Sequence, residues 1–315
     1  MSDGILNVYK PAGMTSHDVV GKIRRIYGQK KVGHGGTLDP DAAGVLPVFL
    51  GTATRLLEYA VEGTKAYRAE GCLGSRTTTG DKSGVVVEER PVPPLTRDDM
   101  EQVLARFRGP ILQTPPMYSA LKVNGRKLYQ YARQGMEIER QPRSVEIHHL
   151  ILREFDPPRF AVDVECSKGT YIRTLLEDIA AALGTVGHMT TLLRTRVGDY
   201  RLEEAHTLEE IAAAPDTVLL PVARAVRGLP RFDATPMQAY RITSGVATTI
   251  RGLADGTYAL FGADVLLGIG TCAEEVLRAR KILQHAERPP ETDRPGTDSP
   301  AGEREEGRDT HDHRE

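Results

Sequence analysis

Asp39 is the carboxylate of this chain placed to do chemistry. It stands in GHGGTLDPDAAGVLP, residues 33–47, a segment with four glycines, the mark of a loop that a ligand can approach closely. Pro40 pushes the residue before it out of the helical region, so Asp39 is expected on loop backbone. Pro40 also suits the first position of a helix, which makes Asp39 the expected N-cap of one short turn through Asp41 and Ala43. The helix dipole would then favour its ionised form. A phosphate cradle would end in Gly-Lys-Ser/Thr, and here the loop runs into Val45. A metal site would need more ligands than His34 and Asp39 at recognisable spacing. Two readings stay open: a capping residue, or a lone carboxylate acting as a nucleophile.

Other segments carry chemistry of their own. Arg173 falls in the first turn of an expected helix, where a cation opposes the dipole and asks for an anionic partner. Glu177, one turn on, is a candidate for that partner. Residues 67–73 alternate so that Tyr67, Ala69, Gly71 and Leu73 share one strand face and Arg68 and Glu70 the other; Tyr67 therefore points inward or into a cleft. Residues 111–135 interleave Tyr118, Tyr129 and Tyr131 with Lys122, Arg126, Lys127 and Arg133, a pattern able to stack on bases and neutralise phosphates. Within it Lys122, Arg126 and Lys127 are the expected RNA contacts.

These side chains need a scaffold, and the patterning supplies one. Residues 5–8 form a short strand stopped by Lys10-Pro11. Ser16 is expected to cap a helix with Asp18 in its first turn, Val19, Val20, Ile23, Ile26 and Tyr27 on its buried face and Gly28 at its end. The basic residues Lys22, Arg24, Arg25, Lys30 and Lys31 face either solvent or phosphate. Residues 45–50 read as a buried strand, 54–60 as a helix and 75–84 as a polar loop. Thr96 and Asp99 make a capping box for a helix that buries Met100, Val103, Leu104 and Phe107. Residues 160–166 alternate as a strand, and 167–170 turn it into the helix of Arg173, ended by Gly184. Thr207 and Glu210 make a further capping box. Beyond Pro230 a helix capped by Thr235 precedes short strands at 247–250, 256–261, 265–270 and 276–283. From 286 onward Pro, Gly, Glu, Asp and Arg dominate, and disorder is expected.

Composition agrees with one large domain and a small one in 315 residues. The formal net charge is −2, but residues 286–315 hold ten acidic residues against five arginines, which leaves +3 on residues 1–285. RNA contact would then depend on a local basic face. Cys72, Cys166 and Cys272 follow neither a disulfide nor a zinc spacing. No apolar run approaches a membrane span, and the N-terminus lacks the features of a signal peptide, so a cytoplasmic protein is expected.

The string GHGGTLDPDAAGVLPV resembles the signature of the TruB family of tRNA pseudouridine synthases. NVYKPAGMTS (7–16), KAYRAE (65–70), PPMYSALKVNGRKLYQYARQG (115–135) and CSKGTYIRTL (166–175) match in the same order. The resemblance implies an α+β pseudouridine synthase fold, a mixed central sheet flanked by helices, over residues 1–228. A small β-rich PUA-like RNA-binding module would follow at 229–285 and a disordered acidic tail at 286–315. It implies conversion of uridine 55 in the T loop of tRNA to pseudouridine, without metal or other cofactor, by a monomer needing no protein partner. Asp39 would be the nucleophile, Tyr67 would stack on the base and Arg173 would pair with Asp39. His34 would fill the space left by the flipped nucleotide, and Leu192 would touch the base. The family's Leu-Arg-Arg maps onto either Leu192-Leu193-Arg194 or Leu193-Arg194-Thr195. Lys10, Arg76, Asp81, Lys168 and Tyr171 join the implied RNA or substrate contacts. The sequence is equally consistent with direct attack of Asp39 on the ribose and with another intermediate. Competing readings are a non-catalytic RNA-binding protein, a guide-RNA-dependent relative of the dyskerin type and a metal-dependent hydrolase.

Overall fold

The computed structural model describes residues 2–289. Most of the acidic segment expected to be disordered lies outside the described residues. In chain order the elements are β1 (Gly4–Lys10), α1 (Ser16–Ile26), β2 (Val32–His34), β3 (Ala43–Leu50), α2 (Leu57–Ala60), β4 (Lys65–Leu73), β5 (Ser75–Thr77) and β6 (Val86–Glu89). Next come α3 (Arg97–Ala105), β7 (Gly109–Gln113), β8 (Lys122–Val123), β9 (Arg126–Lys127), α4 (Leu128–Ala132), β10 (Arg143–Asp156), β11 (Arg159–Cys166), α5 (Ile172–Ala182) and β12 (Gly187–Val197). The chain closes with β13 (Tyr200–Arg201), α6 (Leu208–Ala213), β14 (Arg231–Asp233), α7 (Pro236–Thr243), β15 (Thr248–Thr249), β16 (Gly256–Gly262), β17 (Val265–Ala273) and β18 (Val276–Ile282).

The main sheet runs β1–β3–β12–β4–β11–β10–β7, with β2 on β3 and β13 on β12. It is mixed because β12 lies parallel to β3 while the other pairs are antiparallel. Helices cover it. Met100, Val103 and Leu104 of α3 and Ile172, Leu175, Leu176 and Ile179 of α5 pack with Ala69, Leu150, Val162 and Val164 of the sheet. Val19, Val20 and Ile23 of α1 pack with Leu6, Val8, Leu46 and Val48, joined by Leu208 and Ile211 of α6. By contacts the chain divides into two compact units, Met1–Arg231 with Thr257–Ala259, and Phe232–Gly256 resuming at Leu260. A second, five-stranded sheet has the order β14–β16–β17–β18–β15.

Local differences from the sequence reading have simple causes. Thr15, not Ser16, caps α1, forming a capping box with Asp18. The box needs the acid three places after the cap, and Asp18 selects Thr15. The helix expected at 54–60 is a 3-10 turn, Gly51–Leu56, followed by α2. The polar stretch 75–84 contains β5, which pairs with β6 as a hairpin. No helix follows Pro40: the chain makes a single turn closed by Ala42 N–H to the Asp39 carbonyl at 3.1 Å.

Gly44 lets β3 lie against β12. Its φ is +109°, and a side-chain carbon there would meet the Arg194 carbonyl oxygen at 2.2 Å. A residue with a side chain would force the two strands apart at their two-residue ladder, Leu193 to Ala43 and Arg194 to Gly44.

Candidate active site

The loop bearing Asp39 is pinned on both sides. Leu38 and Ala42 are buried with Tyr67 and Leu192 in one cluster. The Leu38 N–H donates to Ser16 Oγ at 2.9 Å, and that hydroxyl donates to the Leu38 carbonyl at 3.2 Å. The Pro40 carbonyl accepts from Gly13 N–H at 2.9 Å and from Lys10 Nζ at 3.0 Å. Asp39 is thereby held between two anchored neighbours while its side chain keeps 38 % exposure.

Arg173 Nε lies 3.1 Å from Asp39 Oδ2 and 3.8 Å from Asp81 Oδ2. Its Nη1 donates to the Thr79 carbonyl and its Nη2 to the Tyr118 carbonyl, both at 2.7 Å. A buried guanidinium with every nitrogen engaged is a fixed fork. Asp81 is itself held by Thr79 Oγ1 at 2.7 Å and Ser83 N–H at 3.0 Å. Burial pushes the Asp39 carboxyl above its ordinary value. Arg173 opposes that shift, and Asp81 adds to it. The helix dipole anticipated for Asp39 has no counterpart, since no helix begins there; Arg173, with Lys10 behind it, supplies the charge that favours its ionised form.

A cleft of about 290 Å³ opens beside this pair, lined among others by Asp39, Tyr67, Tyr171, Arg173 and Leu192. It adjoins a larger cavity of about 700 Å³ that also includes Asp39 and Arg173, with His17, His34, Lys127 and Tyr129 on its wall. Both lie in the first unit, and the pair has the size and concavity of a small-ligand site with a macromolecular approach. Tyr67 is 8 % exposed, its hydroxyl pushed up by burial and hydrogen-bonded to Arg194. The Tyr171 backbone is clamped by the buried Gln113, whose Oε1 accepts from its N–H at 2.7 Å and whose Nε2 donates to its carbonyl at 3.1 Å. His34 is pushed below its ordinary pKa by burial, so its ring is neutral near pH 7. Its buried Nδ1 has no hydrogen-bond partner among the described residues.

The remaining expected contacts separate. Lys127 borders the larger cavity, while Lys122 and Arg126 stand exposed on the β8–β9 hairpin, Arg126 4.7 Å over the Tyr131 ring. Lys168 is exposed, 3.3 Å from Glu62. Two further residues lie away from the cleft surface. Lys10 is fully buried, its Nζ donating to the Pro11, Met14 and Pro40 carbonyls at 2.8, 2.6 and 3.0 Å. It tethers the loop and has no surface for RNA. Arg76 pairs with Glu88 across the β5–β6 hairpin at 2.9 Å and lies on neither cavity wall.

Two cations of the cleft were not anticipated, Lys65 and Arg194. Arg194 is 1 % exposed and donates to the Val45 carbonyl at 2.8 Å and the Gly36 carbonyl at 3.0 Å. The signal was present in the strand period: Lys65 is two residues before Tyr67 and Arg194 two after Leu192, so each shares the face of a residue already assigned to the cleft. By the same alternation Leu192 and Arg194 face the cleft and Leu193 faces away.

The fold and the Asp39–Arg173 site are matched by pseudouridine synthases. The chain is similar to one in a solved Cbf5–Nop10–Gar1 complex (TM-score 0.71, 26 % identity, covering 90 % of this chain and 86 % of that one). It is likewise similar to one in an H/ACA RNP bound to a substrate RNA containing 2′-deoxyuridine (TM-score 0.70, 25 % identity, 91 % and 87 % covered). Residues 24–172 match the N-terminal domain model of the TruB family pseudouridylate synthases, and 173–227 match the C-terminal domain of tRNA pseudouridylate synthase B. The tRNA pseudouridine synthase B of Caldanaerobacter subterraneus subsp. tengcongensis is 46 % identical, with 89 % of this chain and 99 % of that one covered. That of Symbiobacterium thermophilum is 52 % identical over 79 % and 84 %. The chain belongs to the TruB family of pseudouridylate synthases. Among the described residues no helix is long and apolar enough to cross a membrane.

Proposed function

We propose that this chain converts uridine 55 in the T loop of tRNA to pseudouridine, with Asp39 as nucleophile on an extruded nucleotide. The observation that carries the reading is the meeting of Asp39 and Arg173 at 3.1 Å on the wall of a cleft shared with Tyr67 and Leu192. The tRNA substrate is supported by relatives named for it that span most of the chain.

The geometry suits a reaction needing one carboxylate. Glycosidases use two, because a poor leaving group must be protonated while the other carboxylate attacks or activates water. Uracil leaves as a delocalised anion, and Asp81, held by Thr79 and Ser83, is spared for structure. In the proposed course the Asp39 carboxylate attacks ribose C1′ and the C1′–N1 electron pair departs with uracil. The ring turns, C5 attacks C1′, and Asp39 is released as carboxylate. C5 then loses its proton and N1 gains one from solvent, so no electrons leave the system. Tyr67 stacks on the base and assists removal of the C5 proton. Extruding the uridine costs a few kcal/mol. A neutral His34 on the larger cavity wall is placed to occupy the vacated stack. On this reading residues 1–228 carry catalysis and 229–285 form an RNA-binding module.

The test is tritium release from C5-labelled uridine in a free T-arm stem-loop by the isolated chain. Wild type releases label; Asp39→Asn binds the RNA and releases none. Substantial turnover by that variant would refute the nucleophile, and a requirement for added guide RNA or proteins would move the chain to the guide-dependent class.

A further inference from the structure

The cleft contains two cations that the course above does not use. We propose that Lys65 and Arg194 form an anion-receiving notch over Gly36 that takes the negative charge of the departing uracil ring. The inference rests on the isomerase reading and extends it to the leaving group.

Strand geometry brings the parts together. Arg194 on β12 is paired with Tyr67 on β4, and Lys65 shares the Tyr67 face. At the floor between them Gly36 has no side chain: a carbon placed there would lie 3.6 Å from Arg194 Nη1 and 3.7 Å from Lys65 Nζ. The two cationic nitrogens thus flank one open point. Arg194 Nε and Nη2 are taken by backbone carbonyls and the guanidinium also bonds the Tyr67 hydroxyl, while the contact of Nη1 with the Thr37 carbonyl is long, at 3.5 Å. Among the described residues neither cation has a carboxylate within ion-pair distance, since Asp39 is held by Arg173.

Two desolvated cations without a counter-ion are unfavourable in the empty cleft and favourable once an anion arrives. Breaking the C1′–N1 bond creates such an anion there, with its charge shared by the ring nitrogen and the two carbonyl oxygens. Fixed charges aimed at developing charge act on the transition state more than on the ground state. The depth of the site favours the flat base over a backbone phosphate, because Arg194 is only 1 % exposed and a phosphate carries the rest of the strand with it.

The test uses the full chain with Lys65→Gln and Lys65→Arg, since Arg194 also braces the backbone. T-arm stem-loops carry either uridine or 5-fluorouridine, whose ring bears negative charge more readily. Single-turnover rates are read as loss of the starting nucleoside in nuclease digests, because fluorine at C5 blocks the final proton loss, and RNA affinity is read by filter binding across salt. Lys65→Gln is expected to lose about 10²–10³-fold in rate on uridine. It should lose at least about tenfold less on 5-fluorouridine, with affinity within about threefold of wild type and most of the rate restored by Lys65→Arg, as a charge acting on the leaving group requires. Equal losses on both substrates would overturn the proposal in favour of a structural role. Weakened affinity with a shallower salt dependence and an unchanged single-turnover rate would overturn it in favour of a phosphate contact. A wild-type chain inert on uridine would overturn the isomerase reading and the notch with it, whereas an active wild type matched by Lys65→Gln would overturn the notch alone.

Discussion

Ser16 and Leu38, on separate elements, exchange two hydrogen bonds through one hydroxyl: the Leu38 N–H donates to Ser16 Oγ, which donates to the Leu38 carbonyl. This latch fixes the residue before Asp39 to the first turn of α1. Ser16→Ala would leave a buried N–H and a carbonyl without partners, a loss of about 1–3 kcal/mol. Urea unfolding should show that loss, and turnover should fall while RNA affinity stays near wild type, because Asp39 is no longer held in register. A variant with unaltered stability would place the anchoring of the loop elsewhere.

Asp39→Asn should make the folded chain more stable near neutral pH. Burial raises the folded-state pKa of Asp39 above its ordinary value, and Arg173 only partly offsets this. A group raised in this way favours folding most where it is protonated, and that contribution is lost as pH rises through the folded pKa. The neutral amide keeps what the ionised acid gives up. Melting temperatures taken from pH 7 downward should show the variant above wild type, with the gap closing as pH falls through the Asp39 pKa toward the ordinary range of Asp. A gap that widens on acidification contradicts the sign of the shift.

Tyr67→Phe separates stacking from the hydroxyl. The ring stays on the β4 face and the cleft keeps its wall, so RNA affinity should change by less than about threefold. If the hydroxyl assists loss of the C5 proton, product formation should fall by about 10²-fold or more. Deuterium at C5 should then slow the variant more than wild type. Equal isotope effects in both would assign the proton to another group.

Gly44→Ala probes the approach of β3 to β12. The new carbon would meet the Arg194 carbonyl oxygen at 2.2 Å in a backbone conformation with φ +109°. The strain alone is of order 1–3 kcal/mol, and the clash with backbone adds to it. Thermal unfolding should drop by several degrees, and activity should fall with it because Arg194 braces both the cleft floor and Gly36. Wild-type stability would mean that the two strands separate freely there.

How much of this was legible in the sequence depended on whether a residue's role is local or comes from distant packing. Capping boxes at Thr96 and Thr207, the cap at Thr235 and the inward face of Tyr67 follow from spacing along a few residues, and all appear as read; the box that Gln238 completes with Thr235 was not read. The family resemblance placed Arg173 beside Asp39, where local reasoning offered Glu177 equally. Lys10 was named as a contact by the family resemblance alone. Only the three-dimensional arrangement shows its ammonium enclosed by three carbonyls, two of them from its own turn and one from the loop of Asp39. The partner of Arg76, Glu88, was not read because it sits on a hairpin strand that the polar composition of 75–84 concealed. Arg194 was missed because a buried arginine carries no sequence mark of its own; strand period gives its face but not the carbonyls that accept from it.

The central pairing of β4 with β12 sets an order of assembly. Asp39 is fastened by segments synthesised before it, but its guanidinium partner comes from α5 and the cleft floor is closed by Arg194, much later in the chain. The counter-charge of Asp39 therefore arrives with α5, and the pocket closes only when β12, the next strand, takes its place between β3 and β4. The site is thus complete only after β12, more than half-way along the chain, has joined the sheet.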